Sequence, residues 1–175
     1  MFKKIMNKKI PSIIGVAILI IVTTIYFAHN EKVARNETRS NVTMGFNQTA
    51  MLERGNIAMG FDQSKIHHHF MTTSTGGEIM IMSTYMNDTD TINEIRSHVR
   101  DIQYEFSQGN FTKPFYIHAE VVPGTDVMTA KKNLIQYSIK DIDGGSVLIL
   151  STNDTELLDA IQNFMNFQSS QHMSH

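Results

Sequence analysis

The sequence has no cysteine among its 175 residues. That absence removes disulfide scaffolds, thiolate zinc sites, iron–sulfur clusters, covalent C-x-x-C-H haem and thiol catalysis together. Any metal must be held by nitrogen, oxygen or thioether donors. Catalytic signatures are missing as well: there is no G-x-S-x-G, H-E-x-x-H, Walker A or G-x-G-x-x-G. The common hydrolase, zinc-protease and nucleotide-binding chemistries have no support, and no enzymatic reaction is assigned. Positive charge is also scarce where a folded domain could use it. Lys3, Lys4, Lys8 and Lys9 precede an apolar stretch and all 17 acidic residues follow it; beyond those lysines, 11 basic residues face 17 acidic ones, a net −6. An acidic folded part argues against a nucleic-acid surface and favours cations.

What is present begins with residues 10–28, I-P-S-I-I-G-V-A-I-L-I-I-V-T-T-I-Y-F-A, which carry no charge and can cross the hydrocarbon layer as a helix at 1.5 Å per residue. Four lysines on one flank orient it, with residues 1–9 cytoplasmic and the remainder outside. A cleaved signal peptide is the competing reading, but its core would be long, and Tyr26-Phe27-Ala28-His29 lacks the small-x-small cleavage pattern. The expectation is a single-pass cell-membrane protein whose partner through residues 10–28 is the lipid bilayer; a protein partner or oligomer is not indicated. Residues 29–57 are polar and read as a tether, helical in part near residues 48–54. Residues 58–168 form the domain, and 169–175 a flexible tail containing two histidines. Within the tether, Met44-Gly45-Phe46-Asn47-Gln48-Thr49 echoes Met59-Gly60-Phe61-Asp62-Gln63-Ser64, too short a match for a structural repeat. Asn-x-Thr acceptors start at Asn36, Asn41, Asn47, Asn87, Asn110 and Asn153, all beyond the apolar stretch, and predict a glycoprotein if the domain is extracytoplasmic.

The domain alternates over residues 67–72, turns at Ser74-Thr75-Gly76-Gly77 and resumes over 78–85, a hairpin. Asn87-Asp88-Thr89-Asp90 forms an N-cap cluster. Ile92, Ile95, Val99, Ile102 and Phe106 then recur at spacings of 3 and 4, an amphipathic helix ending near Gly109. Pro114 opens a third strand over residues 115–122, closed by Pro123-Gly124. A short helical piece covers 125–132, and a second hairpin joins 133–142 to 146–151 through Asp143-Gly144-Gly145. The alternative for Asp141-Ile142-Asp143-Gly144-Gly145, a calcium loop, lacks the remaining ligands. Thr152-Asn153-Asp154 caps a last helix running to about Phe167 with Leu157, Leu158, Ile161, Phe164 and Met165 inward. The order ββαβββα predicts an α+β domain with one mostly antiparallel sheet of about five strands and two main helices.

Three consecutive histidines, His67-His68-His69, stand at the start of the first strand. Neutral imidazole is the commonest ligand of first-row transition metals. Strand alternation puts His67 and His69 on one face and His68 on the other with Phe70, so the run cannot be a three-ligand cluster by itself. Further ligands are expected from His98, on the flank of the helix stripe, and His118, in the middle of the third strand. The predicted metal site is therefore built from His68, His69, His98 and His118, with copper or zinc as the ion and Glu120 and Asp62 as carboxylates that orient an imidazole. The twelve methionines could add a soft axial ligand. Met80 and Met82 alternate in the second strand and read as core; His172 and His175 read as an exposed, mobile terminus. Two other readings stand beside metal binding: a non-enzymatic cell-envelope interaction module, and a noncovalent haem or small-ligand site using His98 or His118.

R-G-N-I-A-M-G-F-D-Q-S-K-I-H-H-H-F, G-G-E-I-M-I, N-D-T-D-T-I-N-E-I-R-S-H-V, Gly109-Asn110-Phe111, Ile117-His118 and F-M-N-F-Q together resemble a functionally uncharacterised family of small secreted or membrane-anchored prokaryotic proteins with recurring M-G-F-D-Q, T-H-H-F and I-R-x-H-L. The resemblance covers residues 54–168. It implies that the family's histidine pair falls on His68 and His69 and its helix histidine on His98, while His67 replaces a threonine. It implies no activity.

Overall fold

The computed structural model describes residues 13–172, with side-chain surroundings for 25–40 and 48–172. Residues 1–12 and 173–175 lie outside that description, and with them the cytoplasmic end expected at 1–9, the first three residues of the anchor expected at 10–28, and His175. Among the described residues no helix is long and apolar enough to cross a membrane. The chain divides into two units, Met1–Gln48 and Thr49–His175. Helix α1 (Ile13–Met59) begins in the first unit and ends in the second, so residues 29–57 are helical well beyond the part expected near 48–54. Ile25, Tyr26 and Phe27 are exposed there.

In the second unit, the end of α1 leads through a 3-10 turn (Gln63–Lys65) into β1 (Ile66–Thr73) and β2 (Gly76–Ser83). Next come α2 (Thr89–Ser107), α3 (Thr112–His118), α4 (Thr125–Ala130), a second 3-10 turn (Lys132–Leu134), β3 (Gln136–Ile142), β4 (Gly145–Ser151) and α5 (Thr155–His172). The domain is α+β with one antiparallel sheet in the order β1-β2-β4-β3. It has four strands among the described residues, not five, because the expected third strand is α3. The reason is local. Asn110 Oδ1 accepts from Thr112 N at 3.0 Å and Thr112 Oγ1 at 2.6 Å. Pro114 sits in the first helical turn, where no N–H is needed. Phe111, Pro114 and Ile117 are buried at a helical spacing of three.

The two capped helices start as their sequences require. Asp88 accepts from Thr91 N at 3.1 Å and Asp154 from Leu157 N at 2.9 Å, each satisfying an amide of the first turn. Their apolar stripes, Ile95, Val99, Ile102 and Phe106 of α2 and Leu157, Ile161, Phe164 and Met165 of α5, meet Ile79, Ile81, Leu148 and Leu150 on the inner face of the sheet. Met80 and Met82, read as core, are instead half-buried on the outer face, and the core positions of β2 are Ile79 and Ile81.

Both hairpins turn one or two residues earlier than the glycines implied. Ser74 and Thr75 form the first turn and Asp143-Gly144 the second, while Gly76, Gly77 and Gly145 are strand residues. Close approach explains them. A Cβ at Gly76 would collide with the Leu150 carbonyl, one at Gly77 would lie 2.6 Å from Met165 Cγ, and one at Gly145 would collide with the Ile81 carbonyl. Because backbone, not a flexible side chain, blocks Gly145, Gly145→Ala should destabilise the full-length protein by about 2 kcal/mol through overpacking. A urea midpoint equal to that of the parent would show that β2 and β4 can separate freely.

Candidate metal-binding cavity

Strand alternation divides the histidine triplet as expected. Ile66, His68 and Phe70 face the helices; His67, His69 and Met71 face away and are exposed. His68 stacks on Phe70, ring centres 5.9 Å apart and planes 7° from parallel, because residues i and i+2 of a strand lie side by side. His98 projects from α2 and is only 5% exposed, edge-on to Phe61 at 5.7 Å. His118 is the last residue of α3. Arg54 of α1 donates to the Ile117 carbonyl at 2.8 Å, holding the C-terminal end of α3, and the chain leaves through Ala119 in the left-handed region (φ 56).

Helix α5 supplies what the sequence reading placed in a mobile tail. It continues to His172, and its inward row runs Leu157, Ile161, Phe164 and Met165, then Gln168 and His172. The His172 ring lies 5.2 Å from His68, 5.3 Å from Phe70 and 5.5 Å from His118. His68, His98, His118 and His172, from four different elements, line one cavity of ≈ 50 Å³ together with Met59 and Gln168. His69 is not among them. Of the four residues predicted from the sequence, the fold brings three together and substitutes His172 for the fourth. Met59 and Gln168 were missed too; the signal for Gln168 and His172 was that they continue the apolar stripe of α5 at helical spacing, polar residues where leucines would be expected.

The hydrogen bonding of His118 has a chemical consequence. Its Nε2 lies 2.8 Å from Gln168 Oε1, and an amide oxygen can only accept, so Nε2 carries the proton and Nδ1 keeps its lone pair. That Nδ1 is buried and has no hydrogen-bond partner among the described residues. Burial holds His118 below the ordinary imidazole range, partly offset by the Gln168 bond and Glu120, while Arg54 adds to the lowering. An imidazole fixed by a carbonyl on one nitrogen and left basic on the other is the arrangement metal-ligating histidines use. Imidazoles sharing one tetrahedral ion through bonds of about 2 Å have ring centres about 5 Å apart, which is the spacing of His172 from its two neighbours. Among the described residues, however, no three His, Asp or Glu side chains converge so that they could hold a metal ion. Ligation would require rings to turn.

A second, larger depression of ≈ 310 Å³ wraps the edge of β1. Met51, Met59 and Met71 line it with His67, His68, His69 and His172. Asp62, expected as an orienting carboxylate, instead accepts from Ser64 N at 2.9 Å and Ser64 Oγ at 2.7 Å; Glu120 is exposed.

His98 is neutral in the fold, pushed down to about 4 by burial, with the Lys113 ammonium adding to the effect. An unfolded imidazole takes its proton near 6.5, so above that pH the group costs nothing. As pH falls from 6.5 toward 4, protonation of the unfolded chain alone removes on the order of 3 kcal/mol of stability. Full-length protein should lose stability in that window, and His98→Leu should flatten the loss. A His98 ring resonance titrating near 6.5 in the folded protein would contradict this.

No model of a known protein family matches the sequence, and comparison with curated proteins and with solved structures finds no match to either.

Proposed function

We propose that this chain is a membrane-tethered, extracytoplasmic domain that binds one transition-metal ion, copper or zinc, in the histidine-lined cavity. The observation that carries the reading is the meeting of His68, His98, His118 and His172 in one cavity, with a buried, lone-pair-bearing Nδ1 on His118. His172 lies at ligating ring spacing from both His68 and His118, so these three are the proposed ligands once their rings turn; His98, beside Phe61, lines the same cavity. Neutral imidazoles suit both ions, and Met59 offers a thioether that favours copper. At ≈ 50 Å³ the cavity would have to open widely to admit a porphyrin, so a bare ion fits better than haem. The tether belongs to the same proposal: the uncharged residues 10–28 behind four lysines, and the exposed Ile25, Tyr26 and Phe27, favour burial in a bilayer with the domain outside. The resemblance over residues 54–168 is likewise retained as a proposal.

Full-length protein in detergent, loaded with Zn(II), should hold about one equivalent of metal at pH 7.5 by elemental analysis, and release it as pH falls below about 6, because ligating imidazoles must be unprotonated. His118→Gln combined with His172→Gln should abolish that equivalent, whereas replacing His29, outside the domain, should not. Metal content unchanged in the double variant, or constant from pH 5 to 8, would refute ligation by these rings.

A further inference from the structure

The outer face of the sheet carries a donor set that the cavity does not use. In the β1–β2 register His67 pairs with Met82 and His69 with Met80. Strand alternation puts all four side chains on the face away from α2 and α5, and none belongs to the hydrophobic core. Directly paired residues have Cβ atoms about 5 Å apart, and i, i+2 neighbours along a strand about 7 Å. The two imidazoles and two thioethers thus mark the corners of one rectangle, small enough for long methionine side chains to close on a common point. Met71, next on the same face of β1, and Glu78, its partner in β2, border the rectangle. The nearest cationic side chain in this register, Lys140, lies two strands away beyond Val147. His67 Nε2 is 3.3 Å from Thr84 Oγ1, which leaves Nδ1 for an ion.

We infer that these four residues form a second metal site, separate from the cavity, that takes copper(I). The donor chemistry selects the ion. Thioethers are soft ligands that bind copper(I) well and zinc poorly. Two neutral imidazoles and two neutral thioethers bring no negative charge, so they leave a monovalent ion with a single positive charge and would leave a divalent ion with two.

The test uses full-length protein carrying methyl-labelled methionine, titrated anaerobically with Ag(I), a redox-inert stand-in, and with Cu(I) against a competing chelator. The first equivalent of Ag(I) at this face should shift the Met80 and Met82 methyl resonances. Met80→Leu with Met82→Leu, close to volume-conserving, should weaken Cu(I) binding there at least tenfold. The loss should persist when the double variant is placed in a His118→Gln background, which separates this site from the cavity. Excess Zn(II) should not reverse the methyl shifts. Methyl resonances of Met80 and Met82 that do not move in the unmutated protein would overturn the assignment whatever the variants do, as would Cu(I) affinity equal to the parent in a folded double variant.

Discussion

Met165 seated over Gly77 sets the distance between α5 and the sheet, and the candidate site follows from that contact. A methyl group at Gly77 would lie 2.6 Å from Met165 Cγ and 2.9 Å from its Cε, so the absence of a Cβ is what allows the helix so close. From Met165 the same helix face recurs three and seven residues on, at Gln168 and His172. With the helix at this height, Gln168 reaches His118 and His172 lies against His68 and Phe70. The histidines are far apart in sequence and meet because one glycine lets one helix down onto β1 and β2.

Around His118 the structure carries several local costs at once. An acceptor nitrogen buried without a partner costs about 1–3 kcal/mol, and a non-glycine residue in the left-handed region, as at Ala119, adds about 1 kcal/mol. His98 is held neutral by burial a short way off. Apolar residues at these positions would pack the same cavity without those penalties. Natural folds concentrate such costs at working sites, and here they fall on two residues lining one cavity, His98 and His118, and on Ala119, next to His118 in the chain.

Much of this was legible in the sequence. The 3-4-3-4 spacing from Ile92 to Phe106, the capping aspartates at 88 and 154 and the existence of two hairpins depend on local periodicity and cap chemistry, and all are present in the fold. Failures came where one local signal outweighed another, or where the deciding contact is tertiary. The Phe115-Tyr116-Ile117 run has strand propensity, yet a proline in the first turn and an asparagine one residue before the N-cap make it helical. Gly76, Gly77 and Gly145 looked like turn residues because glycine suits turns; their actual constraint is a neighbour that cannot be seen from sequence. Met80 and Met82 follow the period of a strand, but periodicity does not say which of two apolar rows faces the helices. Ile79 and Ile81 took that place. His172 was lost because the helix was ended at its last aromatic residue, although Gln168 keeps the stripe going.

The triplet at 67–69 acquires its meaning from the position of β1 in the sheet. The same run of three in a central strand would present two imidazoles to one face and one to the other with no communication between them. Here β1 is an edge strand, first in the order β1-β2-β4-β3, and the depression around that edge is lined by residues of both its faces, from His67 and His69 on one side to His68 and His172 on the other. Met51, Met59 and Met71 border the same depression. Since side chains alternate with a period of two, moving β1 by one residue against β2 would turn His67 and His69 inward, put His68 outside, and expel Ile66 and Phe70 from the core. The burial of Ile66 therefore holds the register that assigns one imidazole to the cavity and two to the outer face. Separation of the triplet, one imidazole inward and two outward, is thus a consequence of apolar packing, and thioether and imidazole side chains line the strand edge between the two faces.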